Sequence, residues 1–200
     1  MTARRKVLGL GLATVLGGGV GLAAAKTSKF RKVLEMMVNR INHGGIVVHH
    51  SATPPSSQSS VDAEVIAAWH KKRGMWMRYK GKTYNIAYHY VILPDGTVEE
   101  GRPLGCLGMH TRSWFHNRWV GVCLVGYFDK KWLDPKYHAP TGQQMDSLVK
   151  LTVEIAGKYG FGPDKVLPHR AIDATQCPGR NFPFDNYMAR VAAAGPSEIS

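Results

Sequence analysis

Residues 44–53 read GGIVVHHSAT. Ile46, Val47 and Val48 form a β-branched run bounded by glycine, the pattern of a strand buried on both faces. It ends at His49 and His50, whose side chains should point to opposite faces of the sheet because strand side chains alternate. Working outward, PPSSQSS (54–60) reads as a loop, and Ser60 is the expected cap of an amphipathic helix carrying Val61, Val65, Ile66 and Trp69 and ending near Gly74. YNIAYHYVILPDGTVEEGR (84–102) is two apolar runs joined by Pro94, Asp95 and Gly96, the chemistry of a β-hairpin turn. VGVCLVGYF (120–128) is a second buried strand. Thr141 begins a long helix as its N-cap, with Gln144 three residues on and Gly160 as the stop. FDNYMARVAAAG (184–195) is a last helix. Strands interleaved with helices, with one hairpin among them, predict an α/β domain: a mixed central β-sheet flanked by helices, running over residues 42–194 and followed by a tail at 195–200.

Lysine and arginine number 26 against 14 acids, a formal net charge of +12, so the surface favours anionic partners such as nucleic acid, anionic lipid or an acidic wall polymer. Helix-turn-helix, aromatic RNA-binding and zinc-finger patterns are absent, which argues against nucleic acid. The three cysteines, Cys106, Cys123 and Cys177, are an odd number without C-x-x-C spacing, so at least one is a free thiol or a metal ligand. Arg4, Arg5 and Lys6 precede an uncharged, glycine-rich segment over residues 7–25, which predicts an export signal or a weak membrane anchor within residues 1–25. A basic linker helix is expected over 26–41, from Phe30, Val33, Leu34, Met37, Val38 and Ile41 at helical spacing.

Catalytic zinc takes three protein ligands, commonly histidine, cysteine or carboxylate, and leaves one position to water. The histidines at strand ends or in polar turns are His49, His50, His89, His110 and His169, and Cys177 lies in the polar stretch LPHRAIDATQCPG (167–179). Cys123, inside an apolar run, reads as a small core hydrophobe, and Cys106 as a loop thiol. Spacing alone leaves two readings open, a metal site and ordinary core packing.

The segments IVVHHSAT (46–53), AYHYVILPDGTVEEGRP (87–103), GMHTRSWFHNRWVGVCLVG (108–126) and HRAIDATQCPG (169–179) together resemble the zinc-dependent N-acetylmuramoyl-L-alanine amidases of the type-2 family, which includes phage lysozyme-like endolysins and animal peptidoglycan recognition proteins. The resemblance covers roughly residues 44–190 and implies a Zn2+ site in a surface groove at strand ends, with His49, His169 and Cys177 as ligands. It implies catalytic roles for Tyr88, at the water or the developing oxyanion, and for Thr175, where phage relatives carry lysine and catalytic recognition proteins threonine. It places His89, His110 and Asn117 near the cleft, as substrate contacts or supports of the ligands. Trp69, His70 and Trp76 fall beside the groove, with core packing an equal reading for them.

The implied reaction is hydrolysis of the amide between N-acetylmuramic acid and L-alanine in peptidoglycan. The alternative is a recognition module that binds peptidoglycan without cutting it, against which the presence of Cys177 argues. The expected partner is peptidoglycan, met by a monomer in the periplasm or cell envelope. Residues 7–25 resemble the signal-arrest-release anchors of some phage lysins, which implies transient inner-membrane association.

Overall fold

The computed structural model describes residues 43–129 and 138–195. The expected export segment, the linker helix and most of the tail lie outside them. Among the described residues no helix is long and apolar enough to cross a membrane.

The described residues form seven strands and three α-helices: β1 (Ile46–His50), α1 (Ala63–Lys72), β2 (Met77–Tyr79), β3 (Lys82–Tyr84), β4 (Tyr90–Ile92), β5 (Val98–Glu100), β6 (Val120–Leu124), α2 (Gly142–Tyr159), β7 (Val166–Pro168) and α3 (Phe184–Ala194). Five strands form the main sheet in the order β5-β4-β6-β1-β7. β1 runs parallel to both β6 and β7, β4 is parallel to β6, and the β4–β5 hairpin supplies the antiparallel edge. The sheet is therefore mixed, and β1 lies second from one edge with a parallel neighbour on either side, which is why its sequence is an unbroken apolar run.

The alternation of β1 divides the core. Ile46 and Val48 join Val120, Val122, Leu124 and Ile92 beneath α2 and α3, where Leu148, Ile155 and Tyr187 meet them. Val91 and Val125 face the other way, toward Ile66 of α1. Each Leu, Ile or Val so buried stabilises the fold by about 1.5–3 kcal/mol. His50 follows the α2 side, where its Nδ1 accepts the Phe128 N–H at 3.1 Å. His49 follows the α1 side, as alternation requires.

α2 begins at a capping box: Thr141 Oγ1 accepts the Gln144 N–H, Gln144 Oε1 accepts the Thr141 N–H, and Gly160 ends the helix in the left-handed region. α1 differs from expectation. Its N-cap is Asp62, whose carboxylate accepts the Val65 N–H at 2.8 Å, while the Ser60 hydroxyl donates to Ser57 and closes a preceding 3-10 turn over Pro55–Ser60. The apolar run at 120–128 is a strand only to Leu124; Val125 still donates to Ile92, but Gly126 then turns the chain. Two elements were not expected. One is the β2–β3 ribbon, whose turn residues Lys80 and Gly81 both have positive φ; the other is β7, three residues that pair with Ile46–Val48. Arg102, 1% exposed, donates to the carbonyls of Ile86, Leu107 and Met75, fixing the chain that leads into the site.

Candidate metal centre and active site

β1 and β7 are adjacent and parallel, so their carboxyl ends open on the same edge of the sheet, where ligands of open α/β sheets bind. His49 is in the last turn of pleat of β1 and His169 directly follows β7. The chain then folds back through a 3-10 turn: Arg170 N–H donates to the Cys177 carbonyl at 2.8 Å and the Arg170 guanidinium to the Gly179 carbonyl at 3.1 Å. Gly179 is required there, since a Cβ on it would collide with the Phe128 carbonyl. This loop carries Cys177 to β1. Its Sγ accepts the His50 N–H at 3.4 Å and lies 3.8 Å from His49 Nδ1. The ligand atoms of His49, His169 and Cys177 all fall within 4.8 Å of one another, although 128 residues separate the first from the last.

The ring nitrogens can be assigned from their partners. His110 Nε2 lies 3.2 Å from the Trp119 carbonyl, which can only accept, so that nitrogen carries the proton of a neutral ring. His110 Nδ1 must then accept, and His49, 3.0 Å away, donates to it from Nε2. His49 Nδ1 is left as a bare lone pair facing Cys177. Burial, with the neighbouring His110 and His169, holds His49 well below the ordinary 6.5, and burial does the same to His110, so both rings are neutral. On the other side His169 Nε2 donates to Asp173 Oδ2 at 2.7 Å, which leaves His169 Nδ1 as its free lone pair in the neutral ring. Burial raises the Asp173 carboxyl, but the N–H of Arg112 and His169 outweigh it and hold the group below the usual range. Burial lifts the Cys177 thiol to about 12, against the lowering effect of the His50 N–H and Arg170.

Two imidazoles and one thiol make a donor set of the kind that holds zinc. Each imidazole also has a second acceptor that fixes which nitrogen is free, the usual arrangement around metal-bound histidine. The donors are buried at His49 and Cys177 and partly open at His169, whose side chain is 17% exposed.

The other expected residues fall in distinct places. The half-buried Tyr88 packs its ring 5.1 Å from that of His49 and 5.3 Å from that of His70, and its hydroxyl is hydrogen-bonded to Cys123, with burial raising it well above 10. Thr175 Oγ1 accepts the Cys177 N–H at 3.2 Å, so the hydroxyl hydrogen remains available to a further group. His89 is buried behind His110 with both ring nitrogens engaged by backbone, Nδ1 by the Gly121 N–H and Nε2 by the Cys106 carbonyl. Neither ring nitrogen is left to offer a further group. Asn117 Oδ1 accepts the N–H groups of His110 and Thr111, and its amide donates to the Thr111 carbonyl, so it shapes the loop that carries His110. Trp69 and Trp76 are 40% and 43% exposed, while the neighbouring His70 turns inward, accepts the Ala87 N–H and meets Tyr88. Cys123 and Cys106 are wholly buried free thiols. Asp173 was missed in the sequence; its one signal there is a position four residues after His169, which a 3-10 turn and loop convert into a contact.

Comparison with known proteins places this site in a family. The family model for N-acetylmuramoyl-L-alanine amidase matches residues 39–180. The endolysin of Escherichia phage T7 is 42% identical over 134 residues, which are 66% of this chain and 78% of the endolysin. The peptidoglycan-recognition protein SC1a/b of Drosophila simulans is 25% identical over 139 residues, 68% of each chain. Among solved structures, the N-acetylmuramoyl-L-alanine amidase LysC from Clostridium intestinale URNW superposes with a TM-score of 0.60 at 30% identity, covering 76% of this chain and 86% of LysC. The chain belongs to the N-acetylmuramoyl-L-alanine amidase family. Its chemistry is that of a peptidoglycan amidase.

Proposed function

We propose that this protein is a zinc-dependent lytic amidase in which His49, His169 and Cys177 hold the metal and Tyr88 and Thr175 act on the substrate. The reaction is hydrolysis of the amide between N-acetylmuramic acid and L-alanine in peptidoglycan, and its consequence is lysis of the cell wall. The observation that carries the metal reading is the convergence of two oriented imidazoles and a thiol within 4.8 Å. A bound zinc ion supplies Lewis acidity there, polarising the amide carbonyl and making water acidic enough to supply a nucleophile near neutral pH.

The chain's own residues do the rest. His110 and Asp173 hold the two imidazoles with Nδ1 free, so no tautomer has to change when the metal enters. Cys177, protonated while buried without a cation, gives up its proton on binding, which makes the affinity rise with pH. The Thr175 hydroxyl, tethered by the Cys177 N–H, has a hydrogen to donate to the oxygen that becomes negative when the amide is attacked, a contribution of about 3 kcal/mol for one well-placed donor. Tyr88, whose ring packs 5.1 Å from that of His49, leaves Cys123 to donate its hydroxyl hydrogen to the substrate. Being neutral, both donors counter the oxyanion without adding a second cation. The +12 charge favours encounter with the anionic wall. Residues 42–194 form the catalytic unit in this reading, and residues 1–25 carry it out of the cytoplasm, to act in the periplasm or cell envelope as a monomer.

Metal analysis of the purified protein tests the assignment. One zinc per chain is expected in the wild type, and Cys177→Ser should lose metal and wall-lytic activity together. Undiminished lysis by Cys177→Ser would sink it.

A further inference from the structure

The loop from Gly108 to Arg118 bears two adjacent aromatic residues, Trp114 and Phe115, that are 66% and 57% exposed, more than any other large hydrophobic side chain among the described residues. Exposure of that size is not a by-product of a loose loop. Gly108 N–H donates to the Asn117 carbonyl at 2.8 Å, the Asn117 side chain gathers the N–H groups of His110 and Thr111, Thr111 Oγ1 donates to the Ser113 carbonyl, and Ser113 Oγ meets both the N–H and Nδ1 of His116. Phe115 sets its edge against His116 and Trp119, at 5.2 and 6.2 Å between centroids, and the Arg118 guanidinium lies 5.6 Å over the Trp114 ring. The two rings are thus held out to solvent by a loop that is tied on both sides of them.

Where the loop sits gives the patch its meaning. Arg112 N–H donates at 2.8 Å to Asp173 Oδ2, the same oxygen that receives His169 Nε2. The aromatic tip therefore belongs to a loop that is one hydrogen bond from the partner of a proposed metal ligand. We propose that Trp114 and Phe115 form a platform for the glycan strand of peptidoglycan, taking the amino-sugar rings that flank the muramic acid whose amide is cut. A pyranose ring presents a face of C–H groups, which carry slight positive charge and settle against the negative face of an indole or phenyl ring. Arg112 and Arg118, on the same loop, complement the carboxylates of the stem peptides. A rigid pair of rings exposed beside a site that works on a glycan polymer is an apolar patch with a specific occupant. This inference rests on the reading of peptidoglycan as substrate, and goes beyond it in assigning contacts away from the scissile bond.

The test compares wild type, Trp114→Ala with Phe115→Ala, and Trp114→Tyr, on two substrates: polymeric peptidoglycan and a single N-acetylmuramoyl peptide without neighbouring sugars. The double variant should raise KM on the polymer roughly tenfold, an apparent change of about 1.4 kcal/mol, and leave kcat/KM on the single-sugar substrate within about twofold; Trp114→Tyr should retain most of the polymer effect. Co-sedimentation with purified peptidoglycan in the presence of chelator, where no bond is cut, should show the same loss for the double variant. Equal losses on both substrates, or an unchanged KM and unchanged sedimentation on the polymer, would overturn the platform, as would a variant that loses only binding to anionic phospholipid vesicles. Failure of the wild type to release stem peptide would instead strike the amidase reading, and the sedimentation result would still decide for or against the platform.

Discussion

Replacing Asp173 isolates the part of the site that orients the proposed metal ligands without altering one of them. Asp173 Oδ2 accepts from His169 Nε2 at 2.7 Å and from Arg112 N–H at 2.8 Å, and its side chain is 11% exposed, so the contact is better shielded than a surface ion pair. Asp173→Ala leaves the His169 ring free to rotate and to carry its proton on either nitrogen, and partners of this type are worth about 10–100-fold in metal affinity. That corresponds to about 1.4–2.7 kcal/mol. Loss of fold stability should be smaller, about 1 kcal/mol, because His169 and Arg112 are open enough for water to replace the carboxylate. Asp173→Asn keeps an acceptor for one donor but loses the charge, and should fall between wild type and alanine. Competition against a chromophoric zinc chelator reads the affinity, and thermal melting of the metal-free protein separates it from folding. Zinc affinity within about twofold of wild type in Asp173→Ala would refute the orienting role.

Tyr88→Phe and Thr175→Ala should each lower turnover roughly ten- to thousand-fold while leaving the zinc content intact; loss of metal with activity would mark them as structural. A Cβ at Gly121 would press into the His110 ring, so Gly121→Ala should weaken zinc binding roughly tenfold by displacing the acceptor for His49, and unchanged affinity in the same competition assay would count against that chain of contacts. Burial lowers His70 to about 4 and His89 to about 3 from the ordinary 6.5. The unfolded chain therefore takes up these protons first: their contribution to stability is whole above pH 6.5 and is lost as pH falls from 6.5 toward about 4, with a slope near 3 kcal/mol per pH unit for the two together. His70→Asn, which keeps an acceptor for the Ala87 N–H, should reduce the loss of stability between pH 7 and pH 5 by about 2 kcal/mol in urea denaturation at pH 7, 6 and 5; an unaltered loss would contradict it.

How much of this was legible in the sequence differs by element, and the differences are physical. β1, the β4–β5 hairpin and α2 carry their own signals: an apolar run buried on both sides, a Pro-Asp-Gly turn, and a capping box with a terminal glycine. β7 carries none, since Val166–Pro168 is three residues long, ends in proline and is a strand only because β1 pairs with it. The β2–β3 turn at Lys80–Gly81 lacks the Asn or Asp that usually marks such a ribbon. Ser60 and Asp62 are both good caps by composition, and only the 3-10 turn that engages Ser60 leaves the role to Asp62. At the site, spacing could not separate a metal centre from core packing; the motifs pointed to His49, His169 and Cys177, and the fold brings them together. The supporting pairs, His110 with His49 and Asp173 with His169, depend on which ring nitrogen meets which acceptor across the fold, and no linear pattern encodes that.

The most direct test of the zinc amidase account is mass analysis of the products from purified peptidoglycan digested by the native protein, by the same protein stripped of metal, and by the stripped protein given one equivalent of zinc. The account predicts stem peptides with a free L-alanine amino group and intact glycan chains in the first and third digests, and no products in the second. Cleavage that survives complete metal removal, or products cut at glycosidic bonds, would contradict it.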